Sequence, residues 1–454
     1  MPLPKTVSKF MSLKINLVSL GCARTLVDSE VALGGLALEG YQIVKDLMQA
    51  DVAIVNTCGF IEEAKTESID MILRLCDMKK KGQLKAVVVL GCLAQRHGEE
   101  LRRELAEVDA IVGTNNFGDI ARILEPLNRK EKVYKVEPKP YYLLDENTPR
   151  YNLTPDHYAY IKISEGCINA CSYCAIPKMK GAHRSRSIPS ILAEIRKLTS
   201  ERKISEINLI GQDTAAFGYD VDKVFRLPEL LRAIEKQKLA PWARLLYAHP
   251  GHVTEDMIDA IAESSSICKY IDFPIEHSHD AMLKRMNRGV DRAKMLWGIE
   301  TIRKKMPKAS IRTTIIVGFP GETEEEFQDL MEFLKEVRFE RLGAFQFSEE
   351  EGTRAYGMPD QIPKPVRLER YNAVMAQQRD ISQELNAQMI GKSAHVMIDE
   401  KSDDEPNIFY GRTEADAPDV DCQVLIHSEK KLIPGQFIDV TIEDALEYDL
   451  VASY

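Results

Sequence analysis

The sequence predicts an α/β protein in three parts: an N-terminal open parallel α/β domain, a central partial (β/α)6 barrel and a small C-terminal all-β barrel. Three observations carry this reading. β-branched apolar runs alternate with helical stretches over residues 13–127, and again in six units over 158–361. A charged, proline-dotted, aperiodic stretch at 128–157 separates the two and reads as a linker. A connecting helical segment at 362–389 then leads into turn-punctuated β runs over 390–454.

Each part follows from local pattern. In the first, the apolar runs are 14–20, 52–55, 86–90 and 110–112, separated by enough chain for a helix each, as βαβ units require. In the second, the strands expected are 160–163, 206–210, 244–247, 270–273, 311–317 and 344–347, with amphipathic stretches such as 190–199 and 323–337 between them. A six-unit βα array places its site at the C-terminal strand ends. A long polar helix is expected from about 366, and the last part has β runs at 394–398, 424–426 and 437–442.

Composition narrows the function class. Over 454 residues, 44% hydrophobic and 29% charged is an ordinary globular balance, against disordered, collagen-like and coiled-coil classes. No apolar run reaches the ~18 residues of a membrane span, and the N-terminus lacks the apolar core of a secretory signal, so no membrane partner and a cytoplasmic location are expected. The net charge of −10 argues against a whole surface built for nucleic acid. Nine cysteines, an odd number, point to a reducing compartment and to thiol chemistry.

Six of the nine fall into two sets. Cys167, Cys171 and Cys174 form a C-x3-C-x2-C loop just after the first barrel strand. Thiolates are soft ligands suited to iron–sulfur clusters, and three on one loop would leave one iron of a cubane open to a small molecule. A zinc site or three unrelated thiols are the alternatives. Cys22, Cys58 and Cys92 each follow an apolar run, at intervals of 36 and 34 residues, about one βαβ unit. Neighbouring parallel strand ends lie ~5 Å apart, so all three thiols would share one sheet edge. They suggest a second cluster; buried structural cysteines are the alternative. Cys76, Cys268 and Cys422 read as structural.

The C-x3-C-x2-C spacing, with Tyr173 before its last cysteine, resembles the signature of radical S-adenosylmethionine enzymes. Two three-cysteine sets followed by a small β unit resemble the methylthiotransferases among them. The resemblance covers nearly the whole chain and rests on Ser19-Leu-Gly-Cys22, Leu26-Val-Asp-Ser-Glu30, Asn56-Thr-Cys-Gly-Phe-Ile61, Gly91-Cys-Leu-Ala-Gln95, Glu165-Gly-Cys167, Arg184-Ser-Arg186, Gly318-Phe-Pro-Gly-Glu-Thr323 and Ser348-Glu-Glu-Glu-Gly-Thr353. The first motifs are most similar to the branch that modifies ribosomal protein S12; other branches modify tRNA. The resemblance implies a radical-SAM-type barrel and a TRAM-like C-terminal unit. It implies two [4Fe–4S] clusters, with Cys22, Cys58 and Cys92 as ligands of one and Cys167, Cys171 and Cys174 as ligands of the catalytic one. It also implies S-adenosyl-L-methionine as cofactor, a low-potential electron donor as partner, and insertion of a methylthio group at the β-carbon of one aspartate of S12.

Two departures stand out: Glu276 precedes His277 where the family usually has Gln, and Lys180 precedes Gly181 where Arg is usual. Around the barrel mouth, Gln212 and Asp213 end the second strand and Gly318 and Glu322 end the fifth. With Tyr173, these are the candidate S-adenosylmethionine contacts; a turn of purely structural purpose is the alternative. His249, His252, His277 and His279 also fall at strand ends, in no zinc spacing. Lys162 and Arg184 could pair with a carboxylate. Gly391-Lys-Ser393 only mimics the end of a P-loop, since residue 386 is Asn and no strand leads in.

Charge bears on the partner. Residues 386–454 hold 5 Lys plus Arg and 15 Asp plus Glu, leaving 55 of each elsewhere. An acidic β unit repels RNA and suits a basic protein such as a ribosomal one, so no direct tRNA binding is expected. The rival readings are a tRNA adenosine methylthiotransferase and, from another class, an iron–sulfur electron carrier or scaffold. A carrier needs neither an open iron nor a six-unit barrel.

Overall fold

The computed structural model describes residues 13–454, which divide into two compact units: one holds residues up to 153 with 165–167 and 174–183, the other the remainder. Among the described residues no helix is long and apolar enough to cross a membrane.

The first unit is built on a six-stranded parallel sheet in the order Gln42–Ile43, Lys14–Ser19, Val52–Thr57, Ala86–Gly91, Ala110–Val112, Val133–Lys135. The helices Ala23–Leu38, Glu62–Lys80 and Cys92–Glu104 connect its strands. Val52–Thr57 and Ala86–Gly91 are buried at every position, as expected of central parallel strands with both faces covered. Two edge strands escape the sequence pattern. Gln42–Ile43 is too short to show a period, and Val133–Lys135 lies inside the stretch expected to be linker.

The second unit begins with six parallel strands in strict chain order: Tyr158–Lys162, Glu206–Ile210, Trp242–Leu245, Ile267–Asp272, Ser310–Val317 and Arg341–Gln346. Helices such as Ile188–Glu201, Leu227–Gln237 and Glu324–Val337 bury one apolar stripe each against them. The helix Lys364–Ala387 packs on the last strand. It leads to a closed five-stranded barrel in which Ser393–Lys401 pairs with both Ile408–Thr413 and Phe437–Ala445.

The acidic β barrel sits at the N-terminal ends of the (β/α)6 strands, opposite the mouth. Glu206, the first residue of its strand and fully buried, accepts from Arg244 Nε at 2.7 Å and from Arg412 Nη2 at 2.8 Å. Arg412 also pairs with Asp399 (2.8 Å), which meets His157 at 2.9 Å. Asp421 accepts from Tyr270 Oη at 2.7 Å, and Asp416 accepts from Arg341 at 2.7 Å. Several of the acids counted towards an acidic partner surface therefore fasten this unit to the barrel instead. Asp403, Asp404 and Glu405 stay exposed at the tip of a hairpin.

Burial pushes the Glu206 carboxyl up, but Arg412 and Arg244 outweigh it and hold the carboxyl below its ordinary range. Its stabilisation is complete above the unfolded carboxylate's pKa and is lost only as pH falls through the lower folded value. Glu206→Gln should cost about 3–5 kcal/mol, because a buried guanidinium loses its counter-charge. Urea unfolding checks this, with exposed Glu443→Gln as the control; equal midpoints for the two variants would contradict it.

Candidate metal centres and the barrel mouth

Cys22, Cys58 and Cys92 follow the strands Lys14–Ser19, Val52–Thr57 and Ala86–Gly91, which are direct neighbours in the sheet. Cys22 is the N-cap of Ala23–Leu38, and Cys92 is the first residue of Cys92–Glu104. Helix N-termini favour thiolate. The turns are tight. Gly91, at φ +103°, could not carry a Cβ, which would meet Asn56 Oδ1 and lie 2.8 Å from Thr57 O. Gly166, before Cys167, is likewise left-handed at φ +72°, with Ala182 O where a Cβ would go.

The three thiols differ electrostatically. Although Cys22 is surface-exposed as a residue, desolvation of its sulfur pushes its pKa up. The charge of Arg24, whose Nε–H donates to Sγ at 3.4 Å, outweighs that and brings it down to about 6. Burial raises Cys58 and pushes Cys92 up to about 12, against the pull of Lys180. Lys180 is buried and its Nζ donates to Asp28 Oδ2 at 2.7 Å, which places a cation near Cys92. Iron binding here would release protons from Cys58 and Cys92.

On the barrel loop, Cys171 is buried and Cys167 and Cys174 are partly so. The turn after the helix Asp280–Arg285 braces it. Ser172 N and Oγ donate to Met286 O (2.8 Å) and Arg285 O (2.9 Å), and Asn287 Nδ2 donates to Ala170 O (2.8 Å). Buried Arg288 donates through Nη1 to Cys171 Sγ at 3.5 Å and through Nη2 to Pro274 O at 2.5 Å. Nη2 also lies 3.6 Å from Glu276, while Nε has no hydrogen-bond partner among the described residues. Glu276 also bonds to Tyr173, and it holds a left-handed backbone at φ +68°, a strain of about 1–3 kcal/mol for a non-glycine. Burial raises its carboxyl, against Arg288.

The other mouth residues fall into two kinds. Asp213 is a hub: it meets His252 Nδ1 at 2.6 Å, and accepts from Asn169 Nδ2 at 2.8 Å and from His249 N at 3.3 Å. Burial pushes it up, but these partners bring it down to about 2. With His249 and His252 it forms the one set among the described residues whose metal-ligating atoms all lie within 4.8 Å. Its carboxylate is already held by hydrogen bonds, so the set reads as polar lining. Beside Asp213, Gln212 keeps a buried Oε1 with no hydrogen-bond partner among the described residues, an acceptor free for a ligand.

Glu322 is spent differently. Its buried carboxylate accepts from Gly318 N and from Arg370 Nη1 (2.9 Å), and His277 lies 3.4 Å away. It clamps the end of the fifth strand, and a Cβ on Gly318 would strike Arg367. Tyr173 packs with Met282, Met286, Phe319 and Phe347. Arg288 has no local sequence signal of a site, whereas Asn169 lies between Cys167 and Cys171, and that position was the signal that could have found it.

Comparison with known proteins places this geometry. Residues 14–113 match the profile of uncharacterized protein family UPF0004, 161–334 that of the Radical SAM superfamily and 390–454 that of the TRAM domain. The ribosomal protein uS12 methylthiotransferase RimO of Clostridioides difficile (strain 630) is 45% identical over 97% of this chain and 98% of its own. The protein of that name from Thermoanaerobacter sp. (strain X514) is 46% identical over 97% and 99%. Among solved structures, the radical S-adenosylmethionine methyltransferase TsrM from Kitasatospora setae shares the fold, with a TM-score of 0.55 and 13% identity, over 87% of this chain and 79% of that one. At this identity and coverage, the chain belongs to the RimO family of methylthiotransferases within the Radical SAM superfamily.

Proposed function

We propose that this protein inserts a methylthio group at the β-carbon of an aspartate of ribosomal protein uS12. The carrying observation is the pairing of two open three-cysteine sets with near-full-length likeness to enzymes named for that protein. Cys167, Cys171 and Cys174 would hold the catalytic [4Fe–4S] cluster, and Cys22, Cys58 and Cys92 the second. The orphaned Nε–H of Arg288 suits an anionic cluster at the barrel loop, and the cations Arg24 beside Cys22 and Lys180 near Cys92 suit one at the other place. When bound, the clusters and S-adenosylmethionine supply sulfur to be methylated and a 5′-deoxyadenosyl radical that takes hydrogen from carbon.

The chain's own residues bind and orient. Gln212 Oε1 offers an acceptor for the cofactor's ammonium or ribose hydroxyls. Asp213 keeps His249, His252 and Asn169 in one arrangement, and Tyr173 walls the loop with its ring. The Glu322–Arg370 clamp fixes Gly318 so that backbone rather than side chain lines that edge. The electron donor is a low-potential carrier of the cytoplasm. The exposed acids of the hairpin, Asp403, Asp404 and Glu405, disfavour RNA and favour a basic protein partner.

The test offers anaerobic, reconstituted enzyme both a uS12 peptide and tRNA, with dithionite and S-adenosylmethionine. A +46 Da adduct, roughly one methylthio group for one hydrogen, is expected on the peptide alone, since one insertion occurs per site. An adduct on tRNA alone would overturn the substrate assignment.

A further inference from the structure

We infer that Arg288 is a positioning and charge-compensating residue for the barrel cluster: it sets the reduction potential of the centre held by Cys167, Cys171 and Cys174. The inference rests on the assignment of those cysteines as cluster ligands. Arg288 lies 117 residues from Cys171, yet its Nη1–H donates to that sulfur at 3.5 Å. It is 6% exposed, so water screens its charge little. Its Nη2 is held by Pro274 O at 2.5 Å and lies 3.6 Å from Glu276. Its Nε–H is left over, a buried donor beside a ligand thiol with no acceptor among the described residues.

Buried donors are normally satisfied. Here the missing acceptor matches the sulfides of a cubane. Hydrogen bonds to cluster sulfurs, net charge and solvent exposure are what set such potentials. A reduced cluster carries one more negative charge than an oxidised one. A buried guanidinium with an N–H aimed at a ligand sulfur therefore favours the reduced form and raises the potential. Glu276 belongs to the same device. It holds a left-handed backbone at φ +68° and places a carboxylate oxygen 3.6 Å from Arg288 Nη2.

The experiment is an EPR-monitored redox titration of the full chain carrying Cys22→Ala, Cys58→Ala and Cys92→Ala, so that a single cluster is read. Arg288→Gln is expected to lower the midpoint potential at unchanged iron content, and Arg288→Lys, which keeps the charge, to stay nearer the parent. An Arg288→Gln midpoint equal to the parent's, with four irons present, overturns the inference. If Arg288→Gln fails to hold iron, the Cys22→Ala, Cys58→Ala, Cys92→Ala parent labelled with 15N-arginine decides instead, since it lacks the second cluster to which Arg24 would otherwise couple. Pulsed EPR of the reduced cluster should show coupling to an arginine nitrogen, and its absence overturns the inference. A native loop that binds no cluster would fail the ligand assignment; a bound cluster indifferent to Arg288 would fail only this inference.

Discussion

Replacing Cys167, Cys171 and Cys174 together by Ala is expected to leave about four iron atoms per chain instead of about eight, since each cubane holds four. It should also abolish reductive cleavage of S-adenosylmethionine. The loop follows the strand Tyr158–Lys162 and is braced by residues 285–288, which hold Cys171 beside Arg288. Three thiols leave one iron without a protein ligand, the position at which an amino acid cofactor can bind. Iron and sulfide analysis, with chromatography for 5′-deoxyadenosine, reads both consequences. Iron remaining near eight would place the cluster elsewhere.

Replacing Cys22, Cys58 and Cys92 by Ala should have the opposite signature. Iron again falls to about four, 5′-deoxyadenosine continues to form, and the +46 Da product disappears. The division follows from architecture. These cysteines belong to a separate parallel sheet with its own core, so their loss leaves the (β/α)6 strands untouched. Loss of 5′-deoxyadenosine in a variant whose circular dichroism is native would contradict the separation of roles.

Much of this architecture was legible in the sequence because both sheets are parallel and buried. Ala86–Gly91 is a continuous apolar run for that reason, and spacings of 36 and 34 residues between cysteines put their strands side by side. What escaped were short edge strands without period, such as Val133–Lys135, and contacts made by polar residues far apart in the chain. Arg288 sits in a turn after a six-residue helix and reads locally as an ordinary surface arginine. Only the fold brings it to Cys171. Likewise, Asp399, Asp416 and Asp421 count as acid in the sequence, yet they serve as counter-charges to Arg412, Arg341 and Arg312. Net charge cannot distinguish a docking face from a free one. Glu322 carries the same lesson: a conspicuous acid in a strand-end motif turns out to be a buried clamp on Gly318 and Arg370.

The proposed reaction removes a carbon-bound hydrogen from an aspartate of uS12 and puts a methylthio group in its place. A uS12 peptide synthesised with deuterium on the β-carbon of its aspartates tests this most directly. The expected result is 5′-deoxyadenosine carrying one deuterium, together with a peptide whose added mass maps by fragmentation to an aspartate side chain. Deuterium-free 5′-deoxyadenosine alongside a modified peptide, or an adduct that maps to another residue, would contradict the account.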